Sequence, residues 1–159
     1  MAELDAWTAG IIDGEGYIAI ETPKGKLRRP YPPLYRTTIR VGNTDIRMLN
    51  KLKELWGGSI RPFHNRHPEK WKQAYEWMIT NKSAIPVLKA IMPYLVCKKE
   101  QAILALELQE RVTARLGVKK IPIPSSKQNT ATYVLAQAEQ IIRESLQKQI
   151  KPLNKRGVK

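Results

Sequence analysis

Residues Thr8–Gly16 read T-A-G-I-I-D-G-E-G, setting two carboxylates, Asp13 and Glu15, among Gly10, Gly14 and Gly16 at the end of an apolar helical segment. Acids at a helix C-terminus oppose the negative end of the macrodipole, at about 0.3–1 kcal/mol each. A sequence tuned for stability alone would carry Lys or Arg there. Carboxylates kept in that place point to a cation that binds them. The plainer reading of Glu15 is a surface acid in a glycine turn.

Other chemistry is scarce. His64 and His67 lie in a polar loop without a matching pair of ligands, which argues against zinc. Cys97 is the single cysteine, so no intrachain disulfide forms, and a small buried apolar role in a reducing interior is expected. At 159 residues, 42 % of them hydrophobic, the chain is long and apolar enough for one folded domain. No apolar run approaches the roughly 20 residues of a membrane span, and no N-terminal signal is evident. The chain reads as a soluble intracellular protein of cytoplasm, nucleoid or organelle, with no membrane partner.

The 28 Lys and Arg against 14 Asp and Glu give a net charge of +14, which favours a polyanion such as nucleic acid. The distribution is sharper than the total. Residues 1–21 hold five acids and no Lys or Arg; residues 22–72 hold 13 basic side chains against three acidic ones. A contiguous phosphate-binding face is favoured over a merely solvated basic surface.

The elements that must position these groups follow from periodicity. Leu4 to Ile12 reads as a short helix, with Ala6, Gly10 and Gly14 recurring every fourth residue on one face. That face suits either core packing or a helix–helix seam. Tyr17 to Glu21 reads as a strand with Ile18 and Ile20 inward and Tyr17, Ala19 and Glu21 outward. Thr22 to Leu34 is a basic Pro/Gly-rich connection. Tyr35 to Val41 alternates, placing Tyr35, Thr37, Ile39 and Val41 on one face and Arg36, Thr38 and Arg40 on the other.

Asn43 and Thr44 are helix-capping candidates, with Asp45 in the first turn of a helix that ends at Gly57-Gly58. Ser59 to Phe63 is a strand with Ile60 inward and Arg61 outward, and Gln73 to Thr80 is another. Burial would turn Tyr75 and Trp77 inward; a groove-binding strand would turn them out. Asn81 to Ile91, Lys98 to Leu116 and Thr130 to Ile150 read as helices, the last ending before Pro152. The order is that of an α+β fold, a four-stranded antiparallel sheet covered by helices on one face. It forms one domain over residues 1–150, followed by a basic C-terminal tail at 151–159.

The run Thr8–Gly16 resembles the signature of the LAGLIDADG homing endonucleases. A-G, I-D-G and the final G are retained, with Thr8 for the usual leucine and Glu15 where aspartate is commoner. P-Y-L-V-C-K-K at 93–99 resembles the segment supplying that family's active-site lysine, and the α-β-β-α-β-β-α order is a second match. The likeness spans roughly residues 4–116.

The resemblance implies a site-specific DNA endonuclease that cuts both strands of double-stranded DNA with Mg²⁺ or another divalent cation. One copy of the motif implies a homodimer, with Ala6, Ala9, Gly10 and Asp13 at the seam and a near-palindromic target. Glu15 is then the metal ligand and the Gly14 carbonyl a second one. Asp13 organises the helix junction or the seam and assists electrostatically. Lys98 aligns with the active-site lysine, which orients the hydrolytic water or stabilises phosphoryl charge. Asn43 and Arg47 match positions shaping the solvent around the scissile phosphate, or are simply a cap and a surface residue.

DNA reading is expected from the open sheet face in the major groove. Arg36, Thr38, Arg40 and Arg61 have the right parity, with Glu21 as an acceptor for cytosine. Lys24, Lys26, Arg28, Arg29 and Tyr31 reach outer base pairs or phosphates, Tyr75 and Trp77 line the groove if turned outward, and Lys72 suits the backbone with Lys70, Lys119 and Lys120. A second function compatible with the fold is an intron RNA maturase, with intron RNA as partner; a third is a non-cutting DNA-binding regulator. Retained Glu15 and Lys98 favour the nuclease, since binding alone requires neither.

Overall fold

The computed structural model describes residues 2–22, 35–64, 67–122 and 131–155. Helix α1 (Ala2–Glu15) extends beyond the expected Leu4–Ile12 and carries Asp13 and Glu15 in its last turn. Strand β1 (Gly16–Glu21) follows without a loop. Gly16 permits this junction, because a Cβ there would lie 2.6 Å from the Ile12 backbone. Next come β2 (Arg36–Asn43), α2 (Ile46–Trp56), β3 (Ser59–Pro62) and β4 (Tyr75–Thr80).

These strands form one antiparallel sheet in the order β1-β2-β4-β3. Gly16 pairs with Val41 and Asn43 with Tyr75, so the end of α1 and the start of α2 meet at one end of the sheet. Short 3₁₀ turns at Asn81–Ser83 and Met92–Tyr94 flank α3 (Ala84–Ile91), and α4 (Lys99–Thr113) follows. The expected α+β order and four-stranded sheet are present.

One sheet face builds the core. Ile18, Ile20, Ile39, Val41, Trp77 and Ile79 pack there with Ile12, Leu49, Leu88, Ile91 and Leu108 from the helices. The Trp77 indole donates to the Gly57 carbonyl at 2.8 Å, which satisfies its one polar atom in the interior. Thr8, in the leucine position of the motif, is fully buried and accepts from the Trp56 indole at 3.1 Å, tying α1 to α2.

Three expectations need correction. Ala19 is buried although it lies on the face opposite the core; Thr38, paired with it across β1 and β2, is also buried, and the Glu21 carboxylate bridges this centre. Residues 118–135 contain a hairpin, β5 (Val118–Pro122) and β6 (Ala131–Leu135), where the start of a helix was expected. The β-branched and aromatic residues Thr132, Tyr133 and Val134 favour a strand, while nothing local marks its partner. Helix α5 (Gln137–Leu153) then runs through Pro152 instead of stopping before it, past the boundary expected at residue 150.

Pro152 forfeits one hydrogen bond in the final turn. Tertiary contacts compensate: Gln101 donates to the Leu153 carbonyl at 3.2 Å and Asn154 to the Ile18 carbonyl at 2.8 Å. With Gln147 donating to the Ile20 carbonyl at 3.2 Å, α5 satisfies the outer edge of β1 with side-chain amides.

Candidate functional site

Asp13 and Glu15, two residues apart, have opposite fates. The Asp13 carboxylate accepts from the backbone N–H of Val96 at 2.7 Å, Cys97 at 3.2 Å and Lys98 at 2.9 Å. The turn they form leads directly into α4, where unpaired N–H groups and the positive dipole end favour an anion. An acid badly placed for its own helix is thus well placed for another. The Lys98 ammonium donates to the Asp13 carbonyl, which puts a cation at the C-terminus of α1.

Glu15 has no hydrogen-bond or ion-pair partner among the described residues and is exposed. It lines an open cleft of about 310 Å³ with Gly14, Lys98 and the end of α5 at Leu153, Asn154 and Lys155. Among the described residues no group of three or more His, Cys, Asp or Glu side chains is placed to hold a metal ion. One free carboxylate in an open cleft suits Mg²⁺, which keeps waters and takes substrate phosphate oxygens in preference to a full protein cage. It does not suit zinc, which takes three or four protein side chains, mostly Cys and His. Glu15 and Gly14, which line the cleft together, are thus compatible with the expected ion.

At the same sheet end, Asn43 accepts from the Asp45 amide at 2.8 Å and Asp45 accepts from the Arg47 amide at 3.0 Å. The cap of α2 is therefore Asp45, not Asn43 or Thr44. Arg47 is exposed and forks onto the Asp45 carboxylate at 2.6 Å, and this guanidinium holds the Asp45 carboxyl down at about 2.

The open face of the sheet carries a continuous chain of alternating charge. Glu21 Oε2 accepts from Arg36 at 3.4 Å, Thr38 at 3.2 Å and Arg40 at 2.8 Å. Arg40 also approaches Glu76 at 3.9 Å, and Arg61 Nε donates to Glu76 at 2.8 Å. All four strands contribute. Glu76 is only 5 % exposed, and Arg36 Nε and Arg40 Nε are buried without a partner among the described residues. The sequence reading missed Glu76; its parity with Arg61 across the β3–β4 pairing would have flagged it.

Several assignments change. Trp77 is fully buried and Tyr75 half-buried against the core, so β4 turns its aromatic face inward and Trp77 is unavailable to a groove ligand. Burial of large apolar area decides this choice. Ala9 is also fully buried within the protomer and cannot line a seam; the outward face of α1 presents Leu4, Trp7 and Gly10, with Ala6 partly covered. Cys97 is exposed, not an interior residue. Lys70, Lys72, Lys119 and Lys120 are exposed as expected. Lys24, Lys26, Arg28, Arg29 and Tyr31 lie outside the described residues.

A family model described as LAGLIDADG endonuclease matches residues 8–107. Among solved structures, the homing endonuclease I-CvuI in complex with its target shares the fold at 19 % identity and TM-score 0.71, over 99 % of this chain and 85 % of that one. The archaeal intron-encoded I-Vdi141I complexed with DNA gives 14 %, 0.70, 99 % and 87 %. I-SmaMI bound to an uncleaved DNA target gives 19 % identity and TM-score 0.67 over 92 % of this chain but only 45 % of its own length. No curated protein matches the sequence. Among the described residues no helix is long and apolar enough to cross a membrane.

Proposed function

The chain belongs to the LAGLIDADG endonuclease family, and from that premise we propose that it is a divalent-metal-dependent, site-specific DNA endonuclease acting as a homodimer on both strands of a near-palindromic duplex. One observation carries the reading. A single unpartnered carboxylate, Glu15, and a single held ammonium, Lys98, line the same cleft, and the same strand that begins beside them contributes Glu21 to an arginine-bearing open face.

The roles follow from the placement. Glu15 and the Gly14 carbonyl would hold Mg²⁺, which when bound would supply charge neutralisation at the phosphate and a more acidic water. Lys98, which lines the cleft with its ammonium on the Asp13 carbonyl, orients the attacking water or offsets phosphoryl charge. Asp13 positions Lys98 through three backbone bonds. Arg47 and Asn43, at the same sheet end, border the approach to the phosphate. Arg36, Arg40 and Arg61 read bases, and the exposed lysines engage the backbone.

Two copies are supported by the glycines of α1. A Cβ at Gly10 or at Gly14 would meet nothing within 4 Å, so the protomer itself does not require their smallness. A close partner helix does. The chain also matches less than half of I-SmaMI, as one of two equivalent units would.

The test is cleavage of a randomised duplex library with Mg²⁺ and with EDTA, alongside Glu15→Gln. Cutting confined to wild type with Mg²⁺, at symmetric sites, is expected. Unchanged cutting in EDTA or by Glu15→Gln sinks the reading, and binding to structured RNA in preference to any duplex would favour a splicing role.

A further inference from the structure

Carboxylates are unwelcome on a surface that meets phosphates, yet the open sheet face carries two. We propose that Glu76 is a specificity-determining positioning residue: it fixes the forks of Arg40 and Arg61 for base edges with paired acceptors, above all guanine. With Glu21 it also cancels the face's attraction for arbitrary DNA. This rests on the proposed DNA cleavage and adds a residue to it.

The chain of charge runs Arg36, Glu21, Arg40, Glu76, Arg61, alternating in sign across all four strands. Glu76 is its most buried member, its side chain 7 % exposed against 54 % for Arg61 and 26 % for Arg40. One oxygen, Oε2, takes both Nε and a terminal nitrogen of Arg61, leaving the far side of that guanidinium toward solvent. The other oxygen, Oε1, faces Arg40 at 3.9 Å, close enough for charge but not for a hydrogen bond.

Arg40 is therefore held from two sides by charge while its Nε–H stays unspent among the described residues. Arginine reads guanine through two parallel bonds to O6 and N7, and that geometry demands a fork fixed in plane. Free arginines on a protein of net charge +14 would instead seize phosphates, which carry no sequence information. A buried acid between two arginines supplies both the orientation and the restraint.

The experiment compares wild type, Glu76→Gln and Arg61→Lys on a set of all single-base variants of the cleaved target, with folding checked by thermal melting. For Glu76→Gln, discrimination should fall roughly tenfold at the positions read by Arg40 and Arg61, with other positions unchanged. Affinity for unrelated duplex should rise, and the slope of log K against log salt should steepen by up to about 0.9 for each arginine released to a phosphate. Arg61→Lys, which keeps the charge and loses the fork, should relax a subset of the same positions. A folded Glu76→Gln protein with the wild-type base profile and salt slope overturns the proposal, as does Arg61→Lys leaving the profile intact. If Glu76→Gln does not fold, Arg61→Lys alone decides. Wild-type protein that cuts no duplex refutes the nuclease reading itself, a separate result.

Discussion

Lys98 and Asp13 hold each other at both ends: the Lys98 amide donates to the Asp13 carboxylate at 2.9 Å, and the Lys98 ammonium donates to the Asp13 main-chain carbonyl. The motif acid and the lysine are one mechanical unit, so substitutions in either should report on the other. Lys98→Met should lower the cleavage rate by about 10²–10³, as loss of a charge-stabilising donor does, without changing DNA affinity by a similar factor. Asp13→Asn presents an amide to N–H donors and should cost about 1–3 kcal/mol in urea unfolding while lowering kcat more than it raises KM. Equal rates for both variants and wild type in single-turnover cleavage would contradict the pairing.

Glu139 sets an acid limit on stability. Its carboxylate lies between Arg111 at 2.7 Å and Arg143 at 2.9 Å, and these bonds, that of Arg111 foremost, hold its pKa below the ordinary value of 4.5. A depressed carboxyl contributes fully above its unfolded pKa and is lost as pH falls through the folded one. Melting temperature should therefore be flat in this respect from neutrality to about pH 5 and decline below about pH 4.5. Glu139→Gln leaves Arg143, with a side chain 8 % exposed, short of its anion; it should destabilise by about 3 kcal/mol at pH 7 and flatten the decline below pH 4.5.

Trp77 separates stability from binding. Trp77→Phe removes the 2.8 Å bond to Gly57 and leaves a void in a fully buried site. A loss of about 1–3 kcal/mol is expected, with DNA affinity of the folded protein unchanged. Weaker binding at full stability would restore Trp77 to the groove.

Gly10 tests the outward face of α1. Gly10→Ala should stabilise the isolated helix by about 0.5–1 kcal/mol, because its Cβ meets open space in the protomer. Gly10→Leu should yield a folded monomer by sedimentation with cleavage of both strands abolished. A dimeric, active Gly10→Leu protein would place the seam elsewhere.

Local pattern carried much of the architecture. The alternation from Tyr35 to Val41 and the glycines after Trp56 mark their elements unaided, because one face of each must be buried. What the pattern lacked was partnership at a distance. Nothing local pairs Thr8 with Trp56, or stations Asp13 over amides 83 to 85 residues onward. Asp13 and Glu15 look equivalent in sequence, and only the folded chain spends one on structure and frees the other. The hairpin at 118–135 was masked by the strong helical period after it, and α5 outlasted Pro152 because Gln101 and Asn154 anchor its final turn.

The amide clasps on β1 also impose an order on synthesis. Ile18 and Ile20 emerge early, whereas Asn154 and Gln147 follow 136 and 127 residues later. At about 5–20 residues per second a nascent chain would wait roughly 7–27 s before residue 154 appears after residue 18. Through that interval the rim strand is bare on the ribosome, open to pairing with a neighbouring polypeptide. Slow codons or premature stops just before codon 147 should therefore reveal themselves as aggregates, even though every residue lining the Glu15 cleft except those of the last turn of α5 has already been made.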